Sequence, residues 1–243
     1  MKLSQRITHL TGGDSDGWDV FYRARRMITE GHAVTELTIG EHDIRTDPSI
    51  LKTMNLSAQQ GHTGYAMVPG TDLLRDTVAV RLQARTGVST TRHNVLITPG
   101  GQSALFAAHV ALCNPGDISL YLDPYYATYP GTIRGAGAMA RSIQTTAGDA
   151  FQPRAEQIDA AAKGAVSLLI NTPNNPTGVV YSRQTLDGIA EVCRTRDLWL
   201  ISDEVYDTQV WEGEHISLPG MAERTLVVGS MSKSHAMTGS RCG

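Results

Sequence analysis

Aromatic side chains are scarce in this chain, at 6% of 243 residues, and three Phe and three Trp leave a core that must be built mainly from aliphatic residues. No apolar run approaches the roughly 20 residues that would span a bilayer, so no membrane partner is expected. The start, Met1 to Thr8, carries no apolar stretch of the kind that leads a secreted chain. Cysteine is limited to Cys113, Cys193 and Cys242, an odd number, far apart and without Cys-x-x-Cys spacing. That argues against a disulfide framework or a zinc site and for thiols in a reducing cytoplasm. Charge of one sign is also lacking. The balance is 21 − 24 = −3, with no basic cluster to suit nucleic acid or an anionic membrane. Small anions are still accommodated, because local arginines and helix N-termini bind phosphate whatever the net charge. Repeats and low-complexity tracts are absent. What is present, 41% hydrophobic and 19% charged residues, describes an ordinary globular chain. Its length suits one large domain, or one domain and a piece of another.

Patterning predicts a helix over 17–31 ending at Gly31, a short strand over 34–39 and a turn at Gly40. Asp47-Pro48 marks a helix start, with a capping carboxylate followed by proline at the first helical position. Leu74, Val78 and Leu82 recur four apart on a helix over 71–84. From residue 94, strands alternate with helices: strands over 95–98, 118–122, 166–170, 198–201 and 225–228, with helices over 103–113 and 184–194. Short apolar strands separated by helices imply an α/β fold, a mainly parallel sheet covered on both faces. In such sheets ligands bind beyond the carboxyl ends of the strands. Five polar groups fall at those ends: Gly101-Gln102-Ser103, Pro124-Tyr125-Tyr126, Asn175, Asp203 and Ser230.

Each group has an ordinary reading when taken alone. Pro173-Asn174-Asn175-Pro176-Thr177-Gly178 is rich in turn formers, Asp203 could cap a helix, Tyr206 could pack, and Lys233 could be a solvated side chain. Their joint order and spacing carries the signal. Two other patterns carry none. Gly135 to Ala140 matches a dinucleotide fingerprint by letters, but it lies between a helix and the next strand, the reverse of what that fingerprint needs. The eight histidines have no metal-like spacing, and His109 on an apolar helix reads as a core residue.

The stretch Ser230-Met231-Ser232-Lys233-Ser234-His235-Ala236-Met237-Thr238-Gly239-Ser240-Arg241-Cys242-Gly243, with Asn175, Asp203 and Tyr206 upstream, resembles the fold-type I, class I/II aminotransferases. The resemblance extends to Gly40 and Tyr65 and so covers essentially the whole chain. It implies pyridoxal 5'-phosphate as cofactor and the fold-type I large domain. Lys233 would be the Schiff-base lysine, and Asp203 would pair with the pyridinium nitrogen. Asn175 and Tyr206 would hydrogen-bond the ring oxygen, and Tyr126 would stack on the ring. Ser230, Arg241 and the helix start at Gly101, Gln102 and Ser103 would hold the phosphate. Gly40 and Asn175 would border the substrate. Tyr65, five residues before Gly70, would reach the phosphate of the partner subunit in a homodimer. Ser240 and Cys242 depart from the family pattern, which more often has a bulky aromatic and a branched apolar residue there.

The resemblance divides the chain into an N-terminal arm and small-domain segment, 1–45, and a cofactor-binding large domain, 46–243. Gly243 lies ten residues beyond Lys233 (243 − 233), where the family continues with further strands and a C-terminal small domain bearing the arginine for the substrate carboxylate. The expectation is therefore a large domain incomplete at its C-terminus and a chain of weak or no activity. The implied activity is amino transfer between an amino acid and a 2-oxo acid. A C–S lyase or decarboxylase of the same fold, or a cofactor-binding fragment without catalysis, stays open. A regulator of transcription is disfavoured, because residues 1–30 hold no helix-turn-helix pattern.

Overall fold

A computed structural model describes residues 1–13, 18–217 and 224–243, with helices α1 (Gln5–Thr8), α2 (Trp18–Thr29), α3 (Pro48–Gln59) and α4 (Asp72–Thr86) ahead of the sheet. Its centre is a sheet of five parallel strands in the order β2-β1-β3-β4-β5, formed by β1 (Ile118–Asp123), β2 (Met139–Gln144), β3 (Ala165–Asn171), β4 (Trp199–Asp203) and β5 (Thr225–Val228). Each interior strand is apolar on both sides, which requires cover on both faces. Along β1, Leu120 and Leu122 face one way and Tyr121 the other, and β3 divides likewise into Leu168 and Ile170 against Leu169. The first face packs on α7 (Ala155–Ala161) through Ile158 and on α8 (Arg183–Thr195) through Leu186, Ile189 and Cys193. The second packs on α5 (Gly101–Leu112) through Leu105 and on α6 (Tyr129–Gly135) through Ile133. Leu120, Leu168 and Leu200 are fully buried, and each contributes about 2 kcal/mol of transfer free energy.

The order 2-1-3-4-5 reverses direction at β1. The crossover from β1 runs outward to β2, while the later strands are added on the other side of β1, so the loops leaving β1 and β3 diverge and open a cleft. Register sets the depth of that cleft: Asn171 lies beside Asp203, and Asp203 beside Val228.

Local sequence accounts for the helix ends. Asp47 accepts from the Ser49 N–H at 2.8 Å and caps Pro48–Gln59, as expected. Ser182 caps α8 in the same way through the Thr185 N–H. The helices expected over 71–84 and 184–194 run Asp72–Thr86 and Arg183–Thr195. That over 17–31 runs Trp18–Thr29, and its expected first residue, 17, lies outside the described residues. His109 is buried in the core, its Nδ1 2.7 Å from the Leu105 carbonyl, and burial lowers its pKa. α6 ends at Gly135 and β2 begins at Met139, the helix-then-strand order that sets Gly135 to Ala140 apart from a dinucleotide site.

Two expected strands do not form. Residues 34–39 are irregular and Leu37 is 89% exposed, because among the described residues no neighbour completes a hydrogen-bonded ladder with them. Residues 95–98 are also outside the sheet. Ile97 donates to the Pro69 carbonyl at 3.0 Å, and Thr98 exchanges two bonds with Gly243 at 2.7 and 3.1 Å. Gly101-Gln102-Ser103 therefore follows a non-sheet segment, and Asp203 is the last residue of its strand rather than the first beyond it. β2 and α6 carry weaker apolar patterns and were expected only as a strand and a helix flanking Gly135 to Ala140, without bounds, and α7 was not anticipated. β2 reads Met-Ala-Arg-Ser-Ile-Gln, with only Ile143 buried.

Behind the sheet's carboxyl edge lies a buried ionic hub. The Glu204 carboxylate accepts from Ser202 Oγ at 2.9 Å, Arg85 Nη2 at 2.9 Å and Ser217 Oγ, with His215 Nε2 3.0 Å away. Arg85, from the helix Asp72–Thr86, also pairs with Asp207. Removing one partner of a buried pair leaves an uncompensated charge, so Arg85→Ala is expected to cost about 3 kcal/mol. Arg81→Ala, whose contact to Asp207 is longer and more exposed, should cost under about 1 kcal/mol. Urea unfolding of both variants checks this; equal losses would remove Glu204 as a structural hub.

Candidate active site

A cavity of about 620 Å³ opens at the carboxyl ends of the strands, and every expected site residue except Ser103 and Tyr65 lines it. On one side, Ser230 caps the short helix α9 (Met231–Ser234) through the Ser232 N–H at 3.0 Å, which fixes the turn bearing Lys233. Lys233 Nζ donates to the Gly40 carbonyl at 3.2 Å and sits 5.7 Å from the centroid of the Tyr206 ring. Residues 40–46 strap this loop. His42 Nε2 lies 2.6 Å from the Lys233 carbonyl, Thr46 Oγ1 donates to Ala236 O at 2.6 Å, and Thr238 Oγ1 donates to Glu41.

Asp203 closes the floor. It is buried at the end of β4, and Oδ2 accepts from the Tyr129 hydroxyl at 2.7 Å while Oδ1 accepts from the Val205 N–H at 3.3 Å. Burial pushes its pKa up from 3.8 to about 6, against the lowering effect of those two hydrogen bonds. No cation bridges it among the described residues, so the cavity presents a carboxylate that would gain from a cationic ligand atom. Beside it, Asn175 Nδ2 donates to the Tyr206 hydroxyl at 3.3 Å, leaving that hydroxyl's proton free to point elsewhere, and burial raises the Tyr206 pKa. Asn175 is itself held by its N–H to Asn171 Oδ1 at 2.8 Å.

The third region suits an anion. α5 begins after Gly100, whose φ of +84° favours glycine. A Cβ there would collide with Arg241 Nη2, so the guanidinium lies directly over the helix start. Arg241 Nη1 is anchored on the Thr238 carbonyl at 2.9 Å. Guanidinium and helix N-terminus form one electropositive cradle, with Ser230 beside it, its hydroxyl donating to the Cys242 carbonyl at 3.1 Å. The Gln102 side chain is committed to Thr128 and Thr132, so Gln102 offers the cradle its backbone N–H; Ser103, expected to join the cradle, spends its hydroxyl on the Pro99 carbonyl and its N–H on the Gly100 carbonyl at 3.1 Å. Amine, buried carboxylate, phenol–amide pair and anion cradle together fit a phosphorylated pyridine aldehyde.

Tyr126 lines the cavity and meets Tyr129 edge-on, with centroids 5.8 Å apart. Tyr65 stands away from the cavity and is fully exposed, with a relative accessibility of 109%. Tyr129 was missed by the sequence reading. Its signal was the i, i+3 spacing from Tyr126 ahead of Pro130, at the start of a helix too short to show periodicity. Trp18 and Phe21, at the cavity rim, were missed as well, because amphipathic spacing alone does not say which site a helix overhangs.

Comparison with known proteins agrees with this chemistry. The chain is 36% identical over 247 residues to the arginine–pyruvate transaminase of Pseudomonas aeruginosa, covering 100% of this chain and 63% of that one. It is 35% identical over 224 residues to the aspartate/prephenate aminotransferase of Thermus thermophilus, covering 91% and 58%. The chain thus spans roughly three-fifths of the length of these curated relatives. The structure of the Thermus thermophilus aspartate aminotransferase with maleate superposes with a TM-score of 0.94 at 34% identity, over 100% of this chain and 64% of that one. Residues 32–243 match the family described as aminotransferase class I and II, so this chain belongs to that pyridoxal 5'-phosphate-dependent family.

Proposed function

We propose that this chain carries the cofactor site of an aminotransferase that moves an amino group between an amino acid and a 2-oxo acid. The observation that carries the reading is the single cavity joining the Lys233 amine, the buried Asp203 carboxylate and the Arg241 cradle. Pyridoxal phosphate supplies, when bound, an aldehyde and an electron-accepting ring. Lys233 Nζ is the amine for that aldehyde and the base that takes the proton from the substrate Cα. Asp203 holds a proton on the ring nitrogen. Asn175 and Tyr206 direct donors at the ring oxygen, and Tyr126 supplies a flat wall. Arg241, the N–H groups of Gly101 and Gln102, and the Ser230 hydroxyl once turned from the Cys242 carbonyl bind the phosphate, and Gly40 borders the substrate carboxylate. Amino transfer is favoured over lyase or decarboxylase chemistry because the relatives named above are transaminases.

The same reading makes 1–45 an arm over the site and 46–243 the cofactor-binding domain. In support, every strand of the sheet lies beyond residue 46, and residues 40–46 strap the Lys233 loop. It also makes the working protein a cytoplasmic homodimer in which Tyr65 reaches the partner's phosphate. The full exposure of Tyr65 supports this, since a packing role within its own subunit would bury the ring. Among the described residues no helix is long and apolar enough to cross a membrane.

Lys233→Ala is expected to abolish both amino transfer and the borohydride-reducible attachment of pyridoxal phosphate. A reduced phosphopyridoxyl group mapped by mass spectrometry to Lys163 or Lys52 would refute the assignment.

Asp203 should reveal itself through stability. Its folded-state pKa of about 6 exceeds the ordinary 3.8, so the cofactor-free folded protein binds the extra proton. Stability then falls as pH rises from about 4 to about 6, by up to about 3 kcal/mol, and stays lower above that range. Cofactor-free Asp203→Asn should be more stable than wild type at pH 7, with the gap closing near pH 4. Denaturant midpoints across that range check it, and a pH-independent gap would refute it.

Mixing subunits bearing Tyr65→Phe with subunits bearing Lys233→Ala tests the shared site. If Tyr65 acts across the interface, the heterodimer has one intact site and activity partly recovers. No recovery would assign the tyrosine to its own subunit.

A further inference from the structure

Among the described residues, Tyr129 supplies the one side chain that donates to the Asp203 carboxylate. It is buried at the first position of α6, its N–H donates to the Tyr126 carbonyl at 3.0 Å, and its ring packs edge-on against Tyr126. The only hydrogen-bonding atom at the tip of its ring, the hydroxyl, is spent on Asp203 Oδ2 at 2.7 Å. Burial and the neighbouring carboxylate raise the Tyr129 pKa well above 10, so the phenol keeps its proton and acts as a donor at any working pH. With the Val205 N–H on the other oxygen, both carboxylate oxygens are tied and the plane of the group is fixed.

We propose that Tyr129 is a positioning residue that keeps Asp203 ionised and aimed at the pyridine nitrogen of bound pyridoxal phosphate. This rests on the cofactor reading above and adds to it a residue that never touches substrate. Burial alone favours a neutral Asp203, and a neutral carboxyl would not hold a proton on the ring nitrogen. The other titratable groups facing Asp203 are Tyr126 and Tyr206, both with raised pKa values, and Glu204, whose charge opposes ionisation. None of these donates to the Asp203 carboxylate, so the opposing hydrogen bonds come from Tyr129 and Val205. The plain alternative is that Tyr129 only fills the core beside Ile133 and Leu169. Phenylalanine would serve that purpose equally well, which makes the two roles separable.

The test is the 15N resonance of pyridoxal phosphate labelled at its ring nitrogen, followed against pH in the loaded protein without substrate. Wild type should hold the resonance at its protonated position through neutral pH. In Tyr129→Phe, the transition to the unprotonated position should move down by at least about one pH unit, a tenfold change in the proton equilibrium. Tyr121→Phe removes another buried phenol that makes no bond to Asp203 and should leave the transition in place. Asp203→Asn should give the unprotonated position throughout. If Tyr129→Phe does not load cofactor, Tyr129→His, which keeps a donor, should restore loading and the protonated resonance; failure to do so would overturn the proposal. A Tyr129→Phe transition equal to wild type, with Asp203→Asn still responding, would overturn this proposal alone. Wild type that binds no pyridoxal phosphate would overturn the cofactor reading and this proposal with it.

Discussion

The end of β4 carries a carboxylate buried against its own preference. Asp203 sits between β3 and β5, beneath α5 and α6, almost wholly buried at the floor of the cavity, where no cation meets it among the described residues. Such a group costs stability until a ligand offers it a positive atom. The surroundings are arranged around that cost. Tyr129 and the Val205 N–H tie its oxygens, Asn171 Nδ2 donates to its backbone carbonyl at 2.9 Å, and Glu204 beside it receives its own set of donors from Arg85, Ser202 and Ser217. Strained electrostatics of this kind, tolerated by an otherwise well-packed sheet, mark a functional site more strongly than any single motif.

The rest of the site follows from where a parallel sheet sends its loops. All five strands end on the same side, and the reversal of order at β1 separates the loop carrying Tyr126 from the turn carrying Asn175. Lys233 enters from the turn after β5, and the strap of residues 40–46 crosses from the N-terminal side to hold that turn through the Lys233 and Ala236 carbonyls. The anion cradle depends on one glycine. Gly100 takes a left-handed conformation and lacks a Cβ, so the Arg241 guanidinium can lie on the start of α5.

Much of this was legible in the chain itself. Interior strands announced themselves as short, mostly apolar runs, and one helix by its capping residue Asp47. Strands that depend on a neighbour were read less well. Residues 34–39 and 95–98 have strand-like composition but no adjacent ladder, whereas β2, weakly apolar, is a strand because β1 offers it one. Tyr129 was illegible for a related reason. Nothing in Tyr-Pro-Gly-Thr tells a phenol that packs from a phenol whose hydroxyl reaches a carboxylate 74 residues away.

By itself, then, the sequence determined the alternation of strands and helices, the family, and a candidate lysine, carboxylate, amide and arginine, because those depend on residue type and spacing along the chain. Only the tertiary structure decided that Asp203 is buried without a cation among the described residues, that Tyr129 donates to its carboxylate, that Arg241 overlies Gly100, and that Tyr65 is fully exposed. Desolvation and hydrogen bonding are set by what other segments bring within about 3 Å, and that distance is fixed by folding rather than by order along the chain.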